Sequence, residues 1–229
     1  MTLLCLLISL LLTCILPIWL MFYLTFKKKE YRKVFWVGFA TFLIFQIFIR
    51  IPLLNVLSNN LNFVLFTQNN LRLYSLFLGV TAALFEEVGR FIMMKIALKN
   101  QHTTKDAILF GIGHWSCEAL LLVGISYVLQ ALLYGLEGLN PLVILGGLER
   151  LFVLPVHVAA SIMVMHFVRE KQVQYLFMAI IIHTIIDASL IPLQLLFANN
   201  IIILEGYIFI VGLLTLYYIY SYINKKGLS

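Results

Sequence analysis

Charged residues are scarce in this chain: they make up 11% of its 229 residues, against roughly 25% in an ordinary soluble domain. Hydrophobic residues make up 62%. They occur in repeated stretches of about 20 residues, the length that crosses a hydrocarbon core. This composition excludes a soluble globular domain. It predicts an all-α, polytopic membrane helix bundle that forms one integral-membrane domain over residues 1–229, with no separate soluble module.

Cysteine is also rare, and several well-known hydrolase motifs are missing. Cys5, Cys14 and Cys117 stand in no disulfide or metal spacing, so we interpret them as small buried hydrophobic residues. There is no His-Glu-x-x-His helix, no Gly-x-Ser-x-Gly elbow and no pair of Gly-x-Gly-Asp aspartates. The usual zinc-peptidase helix and the serine-hydrolase elbow are thereby excluded.

The few basic residues indicate how the chain crosses the membrane. We predict about seven spanning helices, with a short interfacial segment at 58–70; the helices are at residues 3–26, 34–57, 73–98, 107–134, 142–168, 175–197 and 201–223. Lysine and arginine cluster on alternate connections, at residues 27–33, 95–105, 169–171 and 225–226. By the positive-inside rule these connections are cytosolic, which gives an N-out, C-in topology. The net charge of +6 therefore reflects topology and predicts no nucleic-acid partner.

A set of ionisable residues lies inside these apolar stretches: Glu86, Glu87, Arg90, His114, Glu118, Glu149, Arg150, His157, His183 and Asp187. A single charge at the centre of a membrane helix costs roughly 2.5–3.5 kcal/mol. Counting 1.5 Å per residue from the cytosolic ends places most of the set about 10–17 Å deep. Glu149 and Arg150 lie nearer the outer face. Such residues must face one another, water or an ion, so this polar layer marks the functional site.

The carboxylates of the third predicted helix suggest a division of roles. Glu86 and Arg90 stand one turn apart and can pair along one face, whereas Glu87 points about 100° away. One carboxylate is then held by an arginine, and the other is free to act as a base. A simple buried ion pair is the alternative, although it gives the second glutamate no role.

Histidines accompany carboxylates on two further helices, and they suggest a metal. Glu118 follows His114, and Asp187 follows His183, each at i,i+4, where an acid can orient an imidazole. His157 lies at the same depth. With neutral histidines the layer holds five carboxylates against two arginines, a formal −3 that calls for a bound cation or bound protons. Three imidazoles with carboxylates suit Zn²⁺, so we predict three metal ligands, with packing roles as the alternative: His114, His157 and His183.

Three short motifs carry a resemblance to a known superfamily. They read Glu86-Glu87-Val88-Gly89-Arg90, Phe110-x-x-x-His114 and His183-x-x-x-Asp187, in that order, within about residues 72–190. This order resembles that of the intramembrane CAAX-prenyl endopeptidases and bacteriocin-processing enzymes (the CPBP superfamily). The CAAX branch usually has three residues between the glutamate pair and the arginine, whereas this chain has two, Val88 and Gly89. The shorter form, with Gly-x-Gly before His114 and Glu-Arg before His157, is similar to the bacterial YhfC-like intramembrane metalloproteases.

The resemblance implies a multi-pass protein of the bacterial plasma membrane that cleaves membrane-embedded or membrane-associated peptide or protein substrates. It implies Glu87 as the base and His114 and His183 as site ligands, in either a metalloprotease, for which the histidines suit zinc, or a glutamate-dependent protease without a metal. The candidate catalytic set is Glu86, Glu87, Arg90, His114, Glu118, His183 and Asp187. Two other functions fit the same polar core: a non-catalytic membrane scaffold or bacteriocin-immunity protein, and a proton-coupled transporter or relay. The sequence lacks the internal repeat and the broken helix pair that are typical of transporters.

Overall fold

The computed structural model describes residues 1–198 and 200–228, and within them all regular structure is helical. The helices are α1 (Thr2–Phe26), α2 (Lys29–Ser58), α3 (Leu61–Asn69), α4 (residues 71–97), α5 (Thr104–Tyr134), α6 (Val143–Glu170), α7 (Gln174–Leu196) and α8 (Ile201–Lys226). The predicted all-α membrane bundle is confirmed, and the predicted helices coincide with the observed ones apart from small differences at their ends.

Within the described residues, six helices are long and apolar enough to cross a membrane, namely all except α3 and α4. Helix α3 has 9 residues, which is too short to span. Helix α4 is built of consecutive stretches of 13, 5 and 9 residues. It is therefore long enough to span, but it carries Glu86, Glu87 and Arg90. A seventh crossing by α4 and the N-out, C-in orientation stay predictions.

Local sequence signals set the helix ends in the connections. The Thr103 hydroxyl accepts a hydrogen bond from the backbone N–H of Asp106, whose carboxylate accepts one from the backbone N–H of Thr103, and this capping box starts α5. The side chains of Asn60 and Asn200 accept backbone hydrogen bonds at the starts of α3 and α8. Polar capping side chains thus stand between the apolar stretches and separate one helix from the next.

Helix α6 is the central helix of the bundle. Of its most apolar stretch 61% is buried inside the protein, against 11% for α7 and for α8. It packs against α1, α4, α5, α7 and α8. An apolar core surrounds its C-terminal half: Val34, Met94, Leu98, Ala107, Phe110, Val158, Ile162, Met163, Val164, Met165, Ala179 and Tyr222. Glu149, Arg150 and His157 of α6 precede this core in the chain, so the polar layer lies beside it.

Glycines allow α2 and α5 to approach closely next to the polar layer. A Cβ atom at Gly38 would lie 2.1 Å from the carbonyl oxygen of Phe110, and one at Gly113 would lie 2.1 Å from the carbonyl oxygen of Phe35. Only residues without a side chain permit these two contacts of one helix with the other's backbone. His114 follows Gly113, so this close contact sets where its imidazole lies.

Two widened helical turns carry polar residues of the site. Helix α2 is π-helical over Leu43–Arg50, and α4 is π-helical over Leu84–Val88, the stretch that contains Glu86 and Glu87. Such turns have i→i+5 hydrogen bonds and recur at functional sites. Because a wider turn rotates the chain less per residue, the two glutamates point in more similar directions than the α-helical spacing predicts.

Candidate active site

Arg90 is fully buried and contacts both adjacent glutamates. Its Nη1 donates to Glu87 Oε1 at 2.8 Å, and its Nη2 donates to Glu86 Oε2 at 3.3 Å. Nη2 also lies 2.9 Å from Nδ1 of His157. The sequence assigned Arg90 to Glu86 alone, but Glu87 stands at i,i+3 from Arg90 and is within its reach as well. Arg90 therefore positions the two carboxylates together.

Glu86 lies at the centre of the site and has partners for both of its oxygens. Oε2 is 3.0 Å from His114 Nε2 and 4.0 Å from His157 Nδ1. Oε1 accepts a hydrogen bond of 2.6 Å from the side-chain amide of Gln46. Glu86 therefore joins α2, α5 and α6 to α4.

Glu87 is buried and has one oxygen without a partner. Its Oε1 is 2.8 Å from Nδ1 of His183, while Oε2 is buried and makes no hydrogen bond within the described chain. Nε2 of His183 is 3.5 Å from Asp187 Oδ2, so the i,i+4 pair expected on α7 is present. His183 thus connects Glu87 to Asp187. A buried carboxylate oxygen with no partner is unusual and marks a place for a water or an ion.

The other expected i,i+4 pair, His114 with Glu118, does not form. His114 turns its Nε2 to Glu86, and its buried Nδ1 has no partner among the described residues. Glu118 instead lies 2.5 Å from Nε2 of His157 and also accepts a hydrogen bond from Arg150. Contacts between helices have therefore replaced a contact within one helix.

Sequence reasoning gave no role to three polar residues in or beside the site, namely Glu205, Gln46 and Arg50. Glu205 of α8 has a buried Oε2 with no partner in the described chain, and Gln46 is buried against Glu86. Arg50 of α2 lines the cavity described next. A lone glutamate in the first turns of an apolar helix is an ordinary helix-end residue by sequence, so only packing identifies Glu205. With Glu205 and Arg50 included, the polar layer holds six carboxylates and three arginines, so its formal charge stays at −3.

A cavity of about 400 Å³ lies against the polar layer, a volume typical of ligand pockets. The ionisable and amide side chains along its wall are Gln46, Arg50, Glu86, Arg90, Glu118, Glu149, Arg150, His157, His183 and Asp187. The rest of the wall is mainly apolar and comes mostly from α6, α7 and α8. Glu87 and His114 do not line the cavity; they lie behind Glu86 and His183. The predicted polar residues thus divide into a cavity wall and a buried second row.

Comparison with known proteins assigns this arrangement to a family. A family model described as YhfC intramembrane metalloprotease matches residues 12–141 and 135–208. The chain belongs to the YhfC intramembrane metalloprotease family. The uncharacterized membrane protein YhfC of Bacillus subtilis (strain 168) is 26% identical to it over 240 residues, which covers 90% of each chain. No solved structure matches the chain. The matched residues include the whole polar layer, and the predicted multi-pass membrane protein is confirmed.

The name of the YhfC family points to a metal, and two groups of side chains offer suitable ligand atoms. Glu86, His114 and His157 place ligand atoms within 4.8 Å of one another, as do Glu86, Glu87 and His183. One carboxylate with two imidazoles is a donor set of catalytic zinc, so the first group fits the metal in its chemistry. Within the described chain the three predicted histidines do not form one such group, and that ligand set stays a prediction.

Arg90 bears directly on this metal group of the YhfC site. Its Nη2 donates to Glu86 Oε2 and contacts Nδ1 of His157, and these are lone pairs that a metal would use. A cation bound there requires Arg90 to give up both contacts and to keep its hydrogen bond to Glu87. The guanidinium thus supplies the positive charge that balances the carboxylates in this structure.

Proposed function

We propose that this protein is an intramembrane endopeptidase that hydrolyses peptide bonds of membrane-embedded or membrane-associated proteins. One observation carries the proposal: two buried glutamates are held together by Arg90, and one of them, Glu86, lines a cavity within the helix bundle while Glu87 lies behind it. Residues that served helix packing alone would need no cavity beside them. The description of the family supports the same activity.

In the proposed reaction Glu87 is the general base. Both oxygens of Glu86 have partners, whereas Oε2 of Glu87 has none within the described residues. A free carboxylate oxygen can take a proton from the water that attacks the peptide carbonyl. His183 lines the cavity and contacts the other oxygen of Glu87. The base therefore lies directly behind a residue that borders the substrate.

His183 and Asp187 are proposed to act on the substrate side of the site. Both line the cavity, and the imidazole stands between the carboxylates of Glu87 and Asp187. A protonated imidazole that exchanges its 3.5 Å contact with Asp187 for the substrate can donate from Nε2 to the oxyanion that forms when water adds to the carbonyl carbon. The proton taken up by Glu87 then passes to the amide nitrogen as the C–N bond breaks. One peptide bond and one water give one carboxylate and one amine.

We propose zinc as the metal of this site, held by Glu86, His114 and His157; His183, the further ligand that the sequence predicted, is the oxyanion donor in the reaction proposed above. A bound zinc ion would supply Lewis acidity to a carbonyl oxygen or a water. Glu118 contacts the second nitrogen of His157, and such a contact fixes the orientation of a ligating ring. The residues therefore supply both the donors and the group that orients one of them.

The experiment compares the membrane proteome of cells that contain wild-type protein with that of cells containing Glu87→Gln. This change keeps the size of the side chain but removes its ability to take up a proton. We expect protein fragments that occur only with the wild type, at equal accumulation of both proteins. Glu137→Gln is the matched control, because Glu137 is exposed in the connection before α6, and it should behave as wild type.

Two outcomes would change the proposal. If Glu86→Gln abolishes the fragments while Glu87→Gln retains them, the base is Glu86, the glutamate that lines the cavity. If wild type and both variants give the same fragments, the protein is not a protease of this kind.

A proton relay is the second candidate, and one observation favours it. Contacts join Asp187, His183 and Glu87 in one row of titratable groups and His157 and Glu118 in another, and the Arg90 guanidinium, which stays protonated, lies between the two rows. Titratable groups connected inside a membrane are typical of proton paths. Proteoliposomes loaded with a pH-sensitive dye test this function, since a relay requires a proton flux that Glu87→Gln abolishes. An equal signal from protein-free liposomes would reject it.

A further inference from the structure

Arg50 is an arginine of the cavity wall for which the proposed reaction has no role. It ends the π-helical stretch of α2 and lines the cavity. Its Nε donates to Thr81 Oγ1 at 3.2 Å, its Nη2 to the Leu78 carbonyl oxygen at 2.9 Å, and its Nη1 to Gln46 Oε1 at 3.3 Å. All three acceptors are neutral. They hold the guanidinium in place without balancing its charge.

The other two arginines that line the cavity, Arg90 and Arg150, each contact two carboxylates. Within the part of the chain that the structure describes, Arg50 forms no ion pair. A guanidinium has five N–H donors, and the three hydrogen bonds of Arg50 leave two of them without an acceptor. The carboxylates of Glu86 and Asp187 interact with its charge only at a distance, without direct contact. Arg50 is therefore the cavity arginine whose N–H donors still lack a charged partner.

The position of Arg50 excludes a simple role at the membrane surface. Counted from the end of α2 at Ser58, its Cα lies about 12 Å inside the helix. Long side chains near helix ends usually extend to the headgroups. Arg50 instead extends sideways to Leu78 and Thr81 on α4, and its half-buried guanidinium faces the cavity. Its two remaining N–H donors are therefore available to a group that occupies the cavity.

We propose that Arg50 forms a subsite for a carboxylate of the peptide substrate, an inference that rests on the proposed protease function. A guanidinium fork presents parallel N–H donors that match the two oxygens of a carboxylate. A carboxylate bound there lies in the same cavity as His183 and Asp187. Gln46 links the subsite to the glutamates, because its carbonyl oxygen accepts from Arg50 and its amide donates to Glu86. The substrate's negative group is thus held beside the reacting groups.

The carboxylate has two sources in a peptide, the C-terminus and an acidic side chain, and small probes distinguish them. N-acetyl-L-leucine carries a free α-carboxylate, N-acetyl-L-leucinamide is its neutral counterpart, and N-acetyl-L-glutamic acid α-amide carries only a side-chain carboxylate. Binding to the full-length protein in mild detergent is measured by saturation-transfer NMR. We expect at least one acid to bind tighter than the neutral amide by about tenfold or more, as hydrogen bonds between charged groups predict.

The variants decide whether Arg50 causes this preference. Arg50→Gln should bind acid and amide equally, and Arg50→Lys, which keeps the charge without the fork, should retain part of the preference. Arg72→Gln is the matched control, because Arg72 is exposed at the start of α4 and does not line this cavity; it should retain the full preference. If Arg50→Gln fails to fold in a thermal unfolding assay, the comparison of Arg50→Lys with wild type gives the result.

Several results would overturn the subsite. They are equal binding of acids and amide by the wild type, no binding of any probe at millimolar concentration, or an undiminished preference in the Arg50 variants. Tighter binding of the leucine acid alone assigns the subsite to a C-terminus, and tighter binding of the glutamate derivative assigns it to an acidic side chain. Because no probe is cleaved in this assay, an anion preference that depends on Arg50 would stand even if the Glu87→Gln comparison rejected proteolysis.

Discussion

Replacing Arg90 with methionine should strongly destabilise the protein. The Arg90 side chain is 0% exposed and makes contacts with Glu86, Glu87 and His157. Methionine retains much of the apolar volume, so the main loss is the positive charge. Removing one partner of a buried ion pair costs about 3–5 kcal/mol. Two carboxylates depend on Arg90, which places the expected loss at about 5 kcal/mol, the lower limit of the total stability of many domains.

The loss of stability is measured in two ways. One is the amount of protein that accumulates in membranes, and the other is the unfolding of the detergent-solubilised protein by increasing dodecyl sulfate. Arg72→Met is the matched control, and as a surface change it should lie within about 0.5 kcal/mol of wild type. Adding Glu86→Gln and Glu87→Gln to Arg90→Met should recover much of the stability, because no buried carboxylate then lacks a partner. A wild-type unfolding midpoint for Arg90→Met would refute the reasoning. No recovery in the triple variant would show that Arg90 acts through packing.

Three further predictions follow from the same structure. Gly113→Ala should lower the thermal unfolding midpoint, because its Cβ would meet the Phe35 carbonyl oxygen at 2.1 Å, whereas Gly206→Ala, with nothing within 4 Å, should not; equal midpoints would contradict the close contact of α2 with α5. Purified protein should contain about one zinc per chain, and His157→Ala should contain less; unchanged metal content would exclude His157 as a ligand. Topology reporters should all indicate the cytosol, and a signal from the other side at any of these positions would break the alternation of spans: Lys29, Lys105, Lys171 and Lys226.

The helices and the identity of most polar residues in the membrane could be predicted from the sequence. The length and hydropathy of an apolar stretch are local properties, so the predicted span 201–223 lies within the observed helix Ile201–Lys226. The free-energy cost of a charge inside a membrane also depends only on the apolar stretch around it, so Glu86, Glu87 and Arg90 can be identified as unusual without knowledge of their contacts. Family membership also followed from short motifs, because the spacing of residues along a helix is preserved in sequence.

Only the tertiary structure decided which polar groups pair. The i,i+4 spacing of His114 and Glu118 allows a pair, but His114 contacts Glu86 and Glu118 contacts His157. These pairs depend on distances of a few ångströms between helices, which the close approach at Gly113 helps to set. Helical spacing contains no information about such distances, because they result from packing between residues far apart in the chain.

The same reason explains why the wall of the cavity could not be predicted. Depth in the membrane places residues in a layer but does not say which of them face inward together. Glu205 lies in the first turns of α8, where a charged residue is ordinary by sequence, and Arg50 lies deeper in α2 but has no acidic residue beside it in the chain. The bundle buries part of each, leaving Arg50 against neutral acceptors and Glu205 with an unpartnered oxygen within the described residues. The sequence determined which groups enter the membrane, and helix packing determined which of them meet at the cavity.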